Sequence, residues 1–352
     1  MAKVKVCGSC GVPREFSREH DWNSDGSISQ KKNPDHRVIF YETEGINLLL
    51  ANISELVGIP IDRIAIEGKR KSTFNYASGM FSGMKLVIIK ALLRRKVYET
   101  IAKRGALLGY GHYELLDFKP GEFLEIHARN TYSRIFFSGD IAGVFNVVEG
   151  LPAEVTYEER DDGLAIRVVP GAEVEEMAQR LERVVLPRKP GAISYQRCPE
   201  CGLPLDFKDY RWDVDDGSIT DKATGRRMAI LGAEGVESVF RELEAELGEE
   251  LPRTIVEAQR RYVVEVLGQE EVRRDPSYLT RQVALRGMGN VVEFELERGS
   301  LRVVVENALP PLLVAGMLQG IFDLLSGGSS DLAYRRDGGT LILSLKASRE
   351  AS

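Results

Sequence analysis

All four cysteines of this 352-residue chain fall in two short stretches, Cys7-Gly8-Ser9-Cys10-Gly11 and Cys198-Pro199-Glu200-Cys201-Gly202. Two residues between the sulfurs let both thiolates reach one metal ion. A glycine directly after the second cysteine can take positive φ and turn backbone N–H groups towards the sulfurs. Each stretch therefore reads as a metal knuckle. Gly11-Val12-Pro13 and Gly202-Leu203-Pro204 come next. This Gly-x-Pro is read as turning the chain away rather than starting a helix, which weighs against a thioredoxin-type redox pair. Cys7, Cys10, Cys198 and Cys201 together offer four thiolates, the donor set of a structural zinc, and a rubredoxin-like iron fits the same donors.

About 190 residues separate the pairs, too many for a local zinc ribbon, so the tertiary fold has to bring them together. The second half contains no histidine, and only acids such as Asp206, Asp209 or Asp213 lie near its cysteines. In the first half His20 and His36 could close a site of two cysteines and two histidines, but their counterparts are not histidine. One ion shared by all four thiolates near a pseudo-dyad satisfies both halves. Separate sites completed by acids or water, and free or disulfide-forming thiols, are the alternatives.

The elements that must position these cysteines repeat along the chain. Trp22 and Asp25-Gly26-Ser27-Ile28 recur as Trp212 and Asp216-Gly217-Ser218-Ile219, and Asp-Gly marks a tight turn between strands. Each half thus opens with a ribbon-like lobe, too poor in apolar residues to fold without a metal. An amphipathic helix ending at Gly58 has its copy ending at Gly248. Arg63, Ile66, Glu67 and Arg70 match Arg253, Val256, Glu257 and Arg260, on one helical stripe that reads as a solvated salt-bridge ladder or as an interface or anion clamp. The first half has an extra dozen residues around Ser72–Gly83, whose Gly, Ser and aromatic content suits a flexible loop or lid, or equally a bland surface insertion. A helix from Met84 to Gly105 is expected beyond it. Gly109-Tyr110-Gly111 then matches Gly287-Met288-Gly289. Two strands follow, then a helix with Gly139 and Gly143 (Gly316 and Gly320) ending at Gly150 (Gly327), and a closing hairpin around Asp162-Gly163 or Asp337-Gly338. Small residues four apart let another backbone pack close, here read as helix against sheet. The fold class is α+β by internal duplication: residues 1–170, a linker at 171–191 with a short helix over 174–185, and residues 192–348.

The run from Gly109 to Val169, and from Gly287 to Leu345, resembles the vinyl-4-reductase domain, a small-molecule or hydrocarbon-binding module related to haem-NO-binding and vesicle-tethering proteins. It covers a third to two-fifths of the chain. Members of that family often carry cysteines in this region, and both halves here lack them. The resemblance implies a pocket between helices and sheet for an apolar or aromatic ligand, and pairing of two domains. Phe136, Phe145, Leu313 and Phe322 are expected either to border that pocket or to fill the core. The half with the extra segment, at Phe74 to Phe81, is the expected working site.

Three functions follow. The first is a zinc-stapled tandem binding protein that senses or carries a small apolar or aromatic molecule, acting through a partner protein or as a homodimer. The second is a reductase-like enzyme of chlorophyll-type or aromatic metabolism, and the third a scaffold. There is no phosphate-cradling Gly-x-Gly-x-x-Gly after a strand, no nucleophile elbow and no His-Glu-x-x-His, which weighs against an enzyme. Of His20, His36, His112 and His127, only His112, beside the Gly109 turn, is a candidate haem or catalytic ligand. A net charge of −6 with interspersed signs gives no nucleic-acid footprint. No run is apolar enough to span a membrane, and Met1 to Val6 is no signal peptide. The four cysteines fit a reducing cytoplasm.

Overall fold

The structure, a computed structural model, describes residues 4–80, 93–172, 188–267 and 276–348. The first half runs α1 (Arg14–Glu19), β1 (His20–Trp22), β2 (Ile28–Gln30), β3 (Asn33–Glu42), α2 (Thr43–Val57), α3 (Asp62–Met80) and α4 (Arg94–Leu107). It closes with β4 (His112–Lys119), β5 (Phe123–Arg129), α5 (Arg134–Glu149), β6 (Ala153–Arg160) and β7 (Gly163–Pro170). The second half replaces α1 by a 3₁₀ turn (Leu205–Asp209), then follows the same order. Its elements are β8 (Tyr210–Asp213), β9 (Ser218–Asp221), β10 (Arg227–Gly232), α6 (Ala233–Leu247), α7 (Leu251–Val266), α8 (Pro276–Leu285), β11 (Asn290–Glu297), β12 (Ser300–Glu306), α9 (Pro311–Ser326), β13 (Ser330–Asp337) and β14 (Thr340–Ala347). This is an α+β fold with a coarse internal pseudo-repeat. Two four-stranded antiparallel sheets, β4-β5-β7-β6 and β11-β12-β14-β13, carry the same strand order.

The halves are knitted together at a third sheet. Its order is β1-β2-β3-β10-β9-β8, so β3 and β10 pair antiparallel across the pseudo-dyad, Ile39 opposite Leu231 and Tyr41 opposite Ala229. Successive strand residues point to opposite faces. Ile39, Tyr41, Ala229 and Leu231 therefore join the large core with α2 and α6, while Val38, Phe40, Met228 and Ile230 face a smaller core that contains Cys7, Cys10, Cys198, Phe16, Trp22 and Phe207. The ribbon lobes are poor in apolar residues singly and share this second core. Phe207 lies 4.6 Å from Trp22, and Phe16 lies 5.6 Å from Trp212 (ring centroids).

Each lobe also seats on the other half. The Trp22 indole donates to the Leu285 carbonyl at 2.8 Å, and the Trp212 indole to the Leu107 carbonyl at 3.3 Å. Gly289 N–H donates to Gly26 at 3.1 Å and Gly111 N–H to Gly217 at 2.9 Å. Gly26 and Gly217 have positive φ, and a Cβ on either would run into the facing backbone. Arg37 and Arg227 repeat the pattern, donating to the carbonyls of Asn307 and Asn130.

Several sequence readings need correction. The chain does turn at Gly11, which has positive φ, but a six-residue helix starts at Arg14, directly after Pro13. Both cysteines precede it. Ser72 to Met80 is no loop: it continues α3, because its Ser, Thr, Tyr and Ala face other elements at helical spacing. Phe81 to Gly83, the first part of the expected Met84 helix and the 174–185 helix lie outside the described residues; α4 is described from Arg94. The paired glycines pack against helices rather than a sheet. A Cβ on Gly139 would sit 2.7 Å from the Ile66 carbonyl, and one on Gly143 2.5 Å from that of Arg70; Gly316 and Gly320 meet Val256, Gln259 and Val263 likewise. So α5 lies backbone-close on α3, and α9 on α7. Along the arginine stripe Arg63 and Arg253 are exposed, Arg253 pairing with Glu250, whereas Arg70 and Arg260 turn inwards. Arg70 bonds Glu67 and reaches across to Asn146 Oδ1 at 2.7 Å, and Arg260 reaches Asp323 Oδ2 at 2.6 Å.

Candidate metal centre

The two cysteine stretches arrive at one point because their lobes share the small core. Cys7 Sγ lies 3.6 Å from Cys198 Sγ, and Cys10 Sγ 3.5 Å from Cys201 Sγ. All four sulfurs lie within 4.8 Å of one another. Around one ion with metal–sulfur bonds of about 2.3 Å, tetrahedral sulfurs sit about 3.8 Å apart, so the cluster has the dimensions of a four-thiolate site and can hold a metal ion. Three of the cysteines are buried and Cys201 is half-buried.

The surrounding backbone fits thiolates. N–H groups of Val12, Leu203, Cys201 and Glu200 point at the sulfurs of Cys10, Cys201 and Cys198. Burial pushes the Cys10 and Cys201 thiols up. At Cys198 burial acts in the same direction, but the Cys201 and Glu200 N–H groups and the neighbouring thiols outweigh it and bring the group to about 7. Glu200 clasps the opposite stretch. It accepts from Ser9 Oγ at 2.6 Å, from the Gly8 N–H at 3.2 Å and from Arg14 at 2.8 Å. The Ser9 hydroxyl, then the Gly8 N–H and Arg14, hold its carboxyl below the usual range.

Neither histidine joins this cluster among the described residues. His20 is fully buried, stacked on Phe16 at 4.6 Å with Nδ1 3.2 Å from the Phe16 carbonyl, and its Nε2 has no partner among the described residues. Burial lowers it to about 4. His36 stacks on Tyr76 at 4.3 Å. His112 pairs with Glu114 at 3.2 Å and His127 with Asp162 at 3.2 Å. Phe136, Phe145, Leu313 and Phe322 are all buried in the large core, Phe74 is exposed on α3, and Phe81 lies outside the described residues. None of the five described ones lines the half-open cleft of about 650 Å³ between α2 and the start of α5, whose walls include Leu48, Asp62, Arg134 and Ile135.

A polar cluster that the sequence reading passed over lies against α3. Asp140, on α5, accepts from Thr73 Oγ1 at 2.6 Å and Tyr132 Oη at 2.6 Å and pairs with Lys69 Nζ at 3.0 Å. Tyr110 stacks on Tyr132 at 4.5 Å; burial and the adjacent Asp140 carboxylate push its phenol well above the usual range. Lys69, Ser72, Thr73 and Tyr76 stand at i, i+3, i+4 and i+7 on α3. That helical spacing of polar residues was the available signal.

No protein-family model matches this chain, and no curated protein and no solved structure matches it. No helix among the described residues is long and apolar enough to cross a membrane.

Proposed function

We propose that this is a small-molecule-binding protein whose two halves are stapled by one structural zinc ion on Cys7, Cys10, Cys198 and Cys201. The observation that carries the staple is the convergence of four sulfurs within 4.8 Å from stretches 191 residues apart. Four protein thiolates leave no open position, which makes such a site structural rather than catalytic. Zinc supplies charge and geometry without redox chemistry, and the residues' part is to present thiolates, with the four backbone N–H groups offsetting their charge. On this reading the cysteine stretches are knuckles, the pseudo-repeat is a duplication, and the sheets with their glycine helices form two vinyl-4-reductase-type domains that take an apolar or aromatic ligand. Reduced thiols of this kind belong in a reducing compartment.

Elemental analysis with native mass spectrometry tests the staple. One zinc per chain is expected, lost in both Cys7→Ser and Cys198→Ser. Two metals per chain, each variant losing one, would rule out the shared site. A red chain carrying iron would replace zinc, and a metal-free chain without titratable thiols would favour cross-half disulfides between Cys7 and Cys198 and between Cys10 and Cys201.

A further inference from the structure

The joint between a lobe and the opposite half occurs twice, but one copy carries an extra segment of chain. Where the first lobe meets the second half, Arg188-Lys189-Pro190-Gly191 lies across Asn307 and the Asp25-Gly26-Ser27 turn. The Asn307 amide clasps the backbone of Lys189. Its Oδ1 accepts the Lys189 N–H at 2.8 Å, and its Nδ2 donates to the Lys189 carbonyl at 2.9 Å and to the Asp25 carbonyl at 3.1 Å. Arg188 donates to Ser27 Oγ at 3.1 Å and lies 3.6 Å from Asp25 Oδ2, while Lys189 Nζ lies 3.2 Å from Glu306. Gly191 passes so close to Ser24 that a Cβ would run into its carbonyl. Under this cover Asn307 is 3% exposed and Asp25 8%.

The other joint repeats the seat without the cover. Asn130 directly follows β5 as Asn307 follows β12, and these two are the only non-glycine residues with positive φ among the described residues, at 53° and 56°. Arg227 donates to the Asn130 carbonyl as Arg37 does to that of Asn307. Asp216-Gly217-Ser218 stands in the place of Asp25-Gly26-Ser27. Yet Asn130 and Asp216 are both exposed. One Asn130 amide proton is held by Asp216 Oδ1 at 2.5 Å, as one of Asn307 is held by the Asp25 carbonyl. The second proton and Oδ1, the pair that clasps Lys189 on the other side, have no partner among the described residues.

We infer that Asn130 and the Asp216 turn form a docking seat for an extended segment of a partner protein, held as the chain holds its own residues 188–191 on Asn307. The two bonds to the peptide backbone supply the affinity and the flanking charges the selectivity. Asp216 and Ser218 repeat the partners of Arg188, so the segment begins with arginine. Glu306, which meets Lys189, is replaced by Arg129, so the next residue is acidic. Proline then fixes an extended backbone, and glycine lets it pass close to the turn. The segment is therefore of the type Arg-Glu-Pro-Gly. This seat is independent of the small-molecule reading and supplies a surface through which such a protein can act on another.

Titration of the full metal-loaded chain with the blocked peptide Pro-Arg-Glu-Pro-Gly-Ala, followed by nuclear magnetic resonance, tests the seat. Saturable shifts of the Asn130 side-chain amide and the Gly217 N–H are expected. The chain's own version, Pro-Arg-Lys-Pro-Gly-Ala, should bind several-fold more weakly. Asn130→Gly keeps the positive φ and removes the amide, so the melting temperature should hold while affinity falls at least tenfold, the loss of two hydrogen bonds. Asp216→Asn should weaken the arginine contact by a smaller factor. Absence of saturable shifts at Asn130, or equal binding to Asn130→Gly, overturns the seat. Tighter binding of the lysine peptide overturns the assigned charge pattern. Shifts of Asn130 that appear on concentrating the chain without peptide would give the seat to a second copy and overturn the partner assignment.

Discussion

The two halves repeat the joints of their lobes and differ in their buried ion pairs. The tryptophan bonds to the opposite half, the Gly26 and Gly217 joints, the arginines on Asn130 and Asn307, and the glycine contacts of α5 and α9 all occur twice. The Lys69–Asp140 pair occurs once, and so do the cross-half contacts Arg286–Glu42, Lys71–Glu242 and Tyr41–Gln259. A repeat bound across a dyad has to satisfy its joints on both sides, because each lobe's partner is the other half. Contacts outside those joints are free to diverge, and the single ion pairs are among them.

The largest expected effect tests the symmetric part. Loss of the metal through Cys7→Ser or Cys198→Ser should cost about 4 kcal/mol if metal is held a thousandfold above its dissociation constant. At about 2–4 °C per kcal/mol for a chain of this size, the melting temperature should fall by roughly 10 °C. The two variants should fall equally; a drop in only one would break the symmetry of the staple.

Next comes a difference built into a shared contact. Arg70 meets the amide of Asn146, but Arg260 meets the carboxylate of Asp323, which is only 5% exposed. Arg260→Met strands that charge and should cost about 3 kcal/mol, whereas Arg70→Met should cost about 1 kcal/mol. Denaturant midpoints that shift alike would show that the two helices are held by something else.

The histidine part of the acid response belongs to the first half alone. The His20 imidazole is lowered from 6.5 to about 4 by burial, so the folded chain keeps it neutral while the unfolded chain protonates it. Its effect is absent above pH 6.5, grows as pH falls to 4 and then saturates, destabilising the fold by up to about 3 kcal/mol. The second half has Tyr210 at this place. His20→Gln should flatten the decline of stability between pH 6.5 and 4, and an unchanged slope would assign it to other groups. The smallest effect is again symmetric: Gly143→Ala and Gly320→Ala should each cost about 1–3 kcal/mol by forcing helices apart, measured as matching shifts in melting temperature.

Much of this was legible in the sequence, and the reason is local. Cys-x-x-Cys-Gly, the Asp-Gly turns and the glycines that end α2, α5 and α9 act within a few residues of themselves, so spacing alone reports them. The fourfold meeting of sulfurs followed from counting ligands. Partners of a face are different. Gly139 and Gly143 announce that something packs close without saying that it is α3, and Trp22 announces burial without saying that its carbonyl belongs to Leu285. The α3 cluster was hidden for a further reason: aligning the halves on what they share draws attention away from Lys69 and Asp140, which only one of them has.

The exchange of lobes also sets a timetable for synthesis. The carbonyl that receives Trp22 is made 263 residues later, and at about 5–20 residues per second a ribosome takes roughly ten to fifty seconds to reach it. Cys7 likewise waits 191 residues for Cys198. Throughout that interval the emerging first lobe carries an uncovered indole and two unshared thiols, which makes it the part of the nascent chain most in need of a chaperone.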